Sequence, residues 1–220
     1  MQTIYSHPKN KYVWNFDALN LSYFEIPKTG SSSTKTVLFK LNFGLSLEDE
    51  LNIGGGKLAN RFPDARVTQF EAEHFLNRIL IIYRDPIARA KSAYRSIFLG
   101  RQKETGPMST YLRDYLPTYL ASDPADGMLN HHKPMSWFFP QALRDDPRTL
   151  FIETSNLNGL PELLGIDISA VSKRGNDMPH MLNVNKKFGT VDLEDDEIRT
   201  ELGPDFADDF ALFDKLSATA

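Results

Sequence analysis

The chain contains no cysteine. That removes disulfides, thiolate metal sites and cysteine nucleophiles at once. No apolar run approaches the ~18 residues that a membrane span needs, and residues 1–20 are polar and aromatic, without the apolar core of a secretory signal. Strong charge of one sign is missing too. Lys and Arg number 25 against 29 Asp and Glu, a formal net charge of -4. Nucleic acid therefore meets no global basic field and is not expected as a partner, so an anionic ligand must be held by a local site. Carboxylates are scattered, and the adjacent His131 and His132 could share a metal only if the backbone bent both inward. No metal site is expected.

What is present describes an ordinary globular protein: 220 residues, 41% hydrophobic and 25% charged. A chain of this length buries roughly 70 % of its unfolded surface, enough for a core without staples. The expectation is one soluble, cytoplasmic domain over residues 1–220.

Leu21–Pro27 (LSYFEIP) is rich in strand formers and stops at a proline. A turn-forming stretch follows, then Thr34–Asn42 with Val37, Leu38 and Leu41 at helical spacing. Strand, glycine-containing loop and helix make the first unit of a parallel α/β sheet. Gly54-Gly55-Gly56 marks a loop, and Glu71–Arg78 reads as a short helix. Ile79–Tyr83 (ILIIY) is a strand buried on both faces, leading through Arg84-Asp85-Pro86 into a helix that runs to Leu99 and stops at Gly100. Residues 109–121 and 135–145 are expected as helices, Thr149–Glu153 as a strand, and Asn156–Leu164 as a short helix broken at Gly165. Residues 167–191 read as loop, and Glu194–Leu202 and Asp205–Leu216 as closing acidic helices.

Two motifs carry chemistry. Pro27-Lys28-Thr29-Gly30-Ser31-Ser32-Ser33-Thr34 lies between the first strand and its helix. There backbone N–H groups and a helix N-terminus aim at one point, which suits an anion. Gly30 permits close backbone approach, the hydroxyls add donors, and Lys28 adds a point charge. This is not Walker A, whose lysine follows the second glycine. A well-capped helix start with a solvated lysine accounts for the same residues.

The second motif is Arg84-Asp85-Pro86-Ile87-Ala88-Arg89-Ala90-Lys91-Ser92-Ala93-Tyr94-Arg95. Arg84 stands at the carboxyl end of a strand, where open α/β sheets place ligands. Ser92 comes about two helical turns later and can face the same way. A guanidinium and a hydroxyl so arranged suit a phosphomonoester. Arg89, Lys91 and Arg95 read as a basic, solvated helix face.

Together the motifs resemble the 5′-phosphosulfate loop and the 3′-phosphate motif of sulfotransferases that use 3′-phosphoadenosine 5′-phosphosulfate (PAPS), particularly the carbohydrate sulfotransferase branch. Its members carry a strand ending in Pro-Lys-Thr-Gly/Ala-Ser-x-Ser, and later one ending in Arg-Asp/Glu/Asn-Pro with a serine eight residues beyond the arginine. Both patterns stand here, at Pro27–Ser33 and Arg84–Ser92. Weaker likeness continues through Phe151-Ile152-Glu153, Leu163-Leu164-Gly165-Ile166 and the Phe206–Leu216 helix. The resemblance implies a P-loop-like three-layer α/β domain with a central parallel sheet flanked by helices. It implies PAPS as co-substrate, with Lys28, Thr29, Gly30, Ser31, Ser32 and Ser33 on the 5′-phosphosulfate and Arg84 and Ser92 on the 3′-phosphate. Lys173-Arg174-Gly175 resembles the Arg-Lys-Gly element that touches the 3′-phosphate in cytosolic members, in a different order; a basic loop explains it equally. Eukaryotic members usually carry a membrane anchor and stem, whereas this sequence shows neither, and a soluble, bacterial-type enzyme is expected.

Sulfuryl transfer is an in-line displacement, close in kind to phosphoryl transfer. Lys28 is the candidate for stabilising the leaving phosphate. In the uronyl 2-O-sulfotransferase relatives a catalytic histidine followed by Val and Ser lies between the two motifs. Here Arg66-Val67-Thr68 is the nearest match, and arginine is no base near neutral pH. Glu71, Glu73 and His74 are the nearest substitutes, His74 first because of its pKa range, with His131 and His132 as another option. A kinase on a similar sheet is a rival, disfavoured by the missing Walker lysine, and a nucleotide binder that has lost its base is the second. A small-molecule or glycan acceptor is expected. Trp14, Tyr111, Tyr115, Trp137, Phe138 and Phe139 either stack on it or fill the core.

Overall fold

The computed structural model describes residues 13–45, 62–65, 67, 71–122, 129–166 and 191–218. Gly54–Gly56, Arg66, Thr68, Lys173, Arg174 and Gly175 lie outside them. The chain divides into two compact units, Met1–Tyr83 with Pro140–Val184, and Arg84–Phe139 with Asn185–Ala220.

The first unit holds a four-stranded sheet in the order β1 (Val13–Phe16), β2 (Leu21–Phe24), β3 (Arg78–Tyr83), β4 (Thr149–Glu153). β2, β3 and β4 are parallel, so the α/β reading with a mostly parallel sheet holds. β1 departs from it: it pairs antiparallel with β2, through a 3-10 turn closed by Asn20 in the left-handed conformation (φ 48). A four-residue edge strand inside a polar, aromatic segment gives too short a run to read as one. The hairpin follows because Asn tolerates that conformation and its backbone N–H bonds the carbonyl of Asp17 at 3.0 Å.

Register puts Trp14 opposite Tyr23, Tyr23 opposite Leu80 and Leu80 opposite Leu150. With Phe16, Leu21, Ile82 and Ile152 these side chains form one face of the core, covered by Leu38 and Phe39 of α1 (Ser31–Asn42). Ser22, Phe24, Ile79 and Ile81 on the opposite face are fully buried as well, which is why β3 reads as an unbroken apolar run. α1 ends in a Schellman turn: Gly44 (φ 62) donates to Leu41, and Leu45 to Lys40.

One buried ion pair fastens α1 to the sheet. Lys35 Nζ lies 2.8 Å from Glu25 Oε1, both nearly sealed from solvent, and Trp14 Nε1 donates to Glu25 Oε2 at 3.1 Å. The ammonium also sits 5.4 Å from the Trp14 ring centroid.

The second unit is helical. α2 (Pro86–Ala93) starts with Pro86 in its first turn and is capped by Asp85, whose carboxylate accepts from the N–H groups of Ile87 and Ala88. It continues as a π turn, Tyr94–Phe98. The stretch expected as one helix over 109–121 is α3 (Met108–Thr110), a π turn (Tyr111–Tyr115) and α4 (Leu116–Ala121). Pro117 has no N–H for the carbonyl four residues back, and the π turn widens the ladder just before it. Instead of a helix over 135–145, Pro140 confines helical geometry to α5 (Gln141–Arg144), which belongs to the first unit with α6 (Leu160–Leu163). The short helix expected over Glu71–Arg78 is a 3-10 turn, Ala72–His74. Asn156–Leu164 begins in a 3-10 turn, Thr154–Gly159, and continues as α6. α7 (Asp195–Leu202) opens with a capping box on Glu194 and Glu197, and α8 (Ala207–Ser217) ends the described chain.

Tyr94, Phe98, Met108, Tyr111 and Leu112 pack with Ile198, Leu202, Phe206 and Phe210 in this unit's core. Arg89 is buried among them, so it leaves the solvated face expected of it, which retains Arg95; Lys91 pairs with Asp195. Burial lowers the Arg89 guanidinium to about 10, against the attraction of Asp209, and it stays cationic at neutral pH. Asp209, fully buried, accepts from the N–H groups of Met135 (2.6 Å) and Ser136 (2.7 Å). Trp14, Tyr111, Phe138 and Phe139 are core residues, while Tyr115 and Trp137 are half-buried.

Removing one partner of a buried ion pair strands the other charge at a cost of about 3–5 kcal/mol. Lys35→Met is therefore expected to lower unfolding free energy by that amount in urea titrations. The double variant with Glu25→Gln should recover most of it, because Gln leaves no unpaired charge and still accepts from Trp14. An equal loss in both variants would mean that the charge pairing is not what matters there.

Candidate functional site

The loop from Glu25 to Gly30 leaves the carboxyl end of β2 and runs straight into α1. Glu25, Ile26, Pro27 and Thr29 are buried, whereas Lys28 and Gly30 are half-buried. Lys28 has φ 72 and Gly30 φ 83, with Thr29 between them on the ordinary side of the map. Alternation of this kind is what an anion nest needs, with successive N–H groups curled toward one point. A lysine with positive φ is uncommon and costs of order 1 kcal/mol, so the neighbouring structure must hold it there.

The carbonyls show how. Ile26 O accepts the Thr29 hydroxyl at 2.9 Å, Thr29 O accepts the Thr154 hydroxyl at 3.2 Å, and Gly30 O accepts both the N–H (3.1 Å) and the hydroxyl (3.2 Å) of Thr34. In a trans peptide C=O and N–H point in opposite directions. Fixing the carbonyls of Thr29 and Gly30 into the protein therefore turns the N–H groups of Gly30 and Ser31 the other way. No side chain caps α1 at Gly30. The first-turn amides of Ser31, Ser32 and Ser33 thus have no partner within the helix, and the positive end of its dipole adds to them. The positive φ favours glycine at residue 30, and a Cβ there would also lie a tight 3.2 Å from Leu157 Cδ1. Lys28, Thr29, Gly30, Ser31, Ser32 and Ser33 are thereby gathered in one curl whose amides can hold a phosphate or sulfate group.

Arg84 and Ser92 belong to the second unit. Arg84 is half-buried and directly follows the last residue of β3 in the chain; burial lowers its guanidinium from the ordinary value and Asp85 opposes that shift. Ser92 is half-buried on α2, its carbonyl accepting the Ser96 hydroxyl at 2.7 Å.

His74 lies elsewhere. It precedes β3, with its Nδ1 3.3 Å from Glu71 Oε2 and its carbonyl accepting from the Asn15 amide. β2 and β3 are parallel, so His74 is at the amino end of the sheet and the Lys28 loop at the carboxyl end. A six-residue strand such as β3 spans roughly 20 Å, far beyond the ~3 Å reach of a general base. The structure does not bring His74 to Lys28, because the strand that follows His74 carries the chain to the other end. His132 is buried, bonded through Nδ1 to the Tyr111 hydroxyl (2.8 Å) and stacked on Tyr119, which makes it a core histidine of the second unit; His131 is half-buried.

Two residues at the carboxyl end of the sheet escaped the sequence reading. Glu153 is the last residue of β4, opposite Tyr83, and Thr154 follows it, donating to Thr29 O and, at 2.9 Å, to Tyr83 O. A Thr after a strand looks like any turn residue in sequence, and only the parallel pairing of β3 with β4 puts it beside the loop. Among the described residues no group of three or more His, Asp or Glu side chains is placed to hold a metal, and no helix is long and apolar enough to cross a membrane.

No protein-family model matches the chain, and no curated protein and no solved structure matches it.

His74→Ala should leave stability within about 0.5 kcal/mol and leave titrations with 3′-phosphoadenosine 5′-phosphate indistinguishable from wild type. A severalfold weakening would put His74 at the ligand, against the strand geometry.

Proposed function

We propose that the chain is a PAPS-dependent sulfotransferase on a P-loop-like α/β fold, moving a sulfuryl group to a hydroxyl or amine of a carbohydrate or small-molecule acceptor. The Lys28–Ser33 curl carries this reading: its sequence resembles a 5′-phosphosulfate loop, and its left-handed turns at Lys28 and Gly30, with the start of α1, leave amides that suit a phosphosulfate. In this reading the amides of Gly30 through Ser33 hold the 5′-phosphosulfate, and Arg84 and Ser92 take the 3′-phosphate. The acceptor oxygen or nitrogen attacks sulfur, its bond to sulfur forms as the bridging S–O bond breaks, and the bisphosphate leaves with the electron pair. Lys28 neutralises the charge that grows on the leaving oxygen. The acceptor's proton needs a base at the carboxyl end of the sheet, where Glu153 ends β4 half-buried.

A second reading, a PAPS-type nucleotide binder without turnover, draws on the position of His74 away from the loop and on the arginine that stands at residue 66. The cradle serves either.

Calorimetry separates these. The bisphosphate 3′-phosphoadenosine 5′-phosphate should bind with micromolar-class affinity and ATP much more weakly. Arg84→Ala should lose ~1.5–3 kcal/mol, as expected for one charge-assisted contact. Lys28→Ala should cut transfer to an acceptor panel by about a hundredfold or more. Binding without transfer in wild type supports the second reading, and preference for ATP over the bisphosphate sinks both.

A further inference from the structure

We infer that Thr154 is the positioning residue of the anion cradle, the side chain that holds the Thr29–Gly30 peptide in its ligand-facing orientation; this rests on reading the Lys28–Ser33 loop as that cradle. Thr154 follows β4 and bonds two other chain segments through one hydroxyl. Its Oγ1 lies 2.9 Å from the carbonyl of Tyr83, where β3 ends, and 3.2 Å from the carbonyl of Thr29, in the loop after β2. A hydroxyl has one proton, so this is a three-centre bond in which both carbonyls share the same donor.

The geometry has a direction. The Tyr83 carbonyl belongs to the sheet, so Thr154 is anchored there, and it reaches from that anchor to the Thr29–Gly30 peptide in the middle of the curl. No peptide among the described residues is cis, so holding the Thr29 oxygen against Thr154 turns the Gly30 N–H outward. The methyl does a second job. Thr154 Cγ2 would lie 3.6 Å from a Cβ on Gly30, and Leu157 Cδ1 3.2 Å, so the two side chains wall the inner side of the loop at Gly30. A hydroxyl and a methyl on one carbon, each with a separate contact, is what threonine supplies here and neither serine nor valine supplies in full. Lys28 and Gly30, the two left-handed residues, stand on either side of Thr29, whose carbonyl Thr154 secures.

The test uses the full chain with Thr154→Val, which keeps the shape and removes the donor, and Thr154→Ser, which keeps the donor. Two readouts are taken: calorimetric affinity for 3′-phosphoadenosine 5′-phosphate, and, without ligand, amide hydrogen exchange of residues 34–36, the first amides bonded back to the loop and the first turn of α1. The valine variant should bind about tenfold more weakly, the effect of one hydrogen bond. Its exchange should rise at residues 34–36 while β3 stays protected, and serine should restore both within about twofold. Unchanged exchange and affinity in the valine variant overturn the inference. So does an exchange increase spread evenly over the sheet, which would mark Thr154 as a general stabiliser. If wild type fails to bind the bisphosphate, the sulfotransferase reading falls, and the exchange pattern still decides whether Thr154 shapes the loop.

Discussion

The carboxylate of Glu25 is the point on which the first unit depends. It stands two residues beyond Tyr23, on the same side of the strand, and is almost wholly withdrawn from water. One oxygen takes the Lys35 ammonium and the other the Trp14 indole N–H, so three elements meet at one buried charge. β1 supplies the indole, the exit of β2 the carboxylate and α1 the ammonium. A buried carboxylate without partners costs several kcal/mol, so these contacts are conditions of folding and not additions to it. Burial, with this charge beside it, holds the Tyr23 phenol well above its usual range. Because Lys35 lies about one helical turn into α1, its anchorage fixes where the helix begins. Five residues, Ile26 to Gly30, are then left to close the gap, too few to wander.

That short span explains how a lysine comes to occupy a left-handed conformation. The strain is of order 1 kcal/mol, small beside the buried pair on one side and the threonine hydroxyls on the other. Thr29, Thr34 and Thr154 each give their proton to a main-chain carbonyl within or beside the loop. The outcome is a loop whose Ile26, Thr29 and Gly30 carbonyls are taken up internally, which turns the Gly30 and Ser31 N–H groups the other way, the polarity that an anion requires. The second unit keeps its own buried charge by the same rule: Asp209 meets two backbone N–H groups and the field of Arg89, so neither charge is left to an apolar core.

Local pattern carried the fold reading far. ILIIY, TLFIE and the LSYF of LSYFEIP are strands, and the second expected helix starts at Pro86 as its residue type places it, although its α-geometry gives way to a π turn after Ala93. The misses have a common cause. β1 is an edge strand defined only by its partner, and Ala72–His74 and Thr154–Gly159 are 3-10 turns whose spacing resembles a helix over so short a length. Arg89 looked solvated because its charge gives no sign of Asp209, which lies far along the chain. The curl at Lys28–Ser33 was legible as a turn-forming run ahead of a helix. Thr154 was not legible, since its contact with Thr29 spans 125 residues of sequence.

The histidine is the instructive failure. His74 is singled out from the sequence as the histidine near Arg66-Val67-Thr68 with a suitable pKa range, but nearness in sequence is not nearness in space. In a parallel sheet a residue before a strand and a residue after it are separated by the strand itself. Ligand chemistry collects at the carboxyl ends of such strands, so groups useful to it follow strands and do not precede them. Lys28 follows β2 and Glu153 closes β4, with Thr154 just beyond. This rule, applied to the sequence with the strands already in place, moves the search for a proton acceptor from residues 71–74 to the residues at the end of β4.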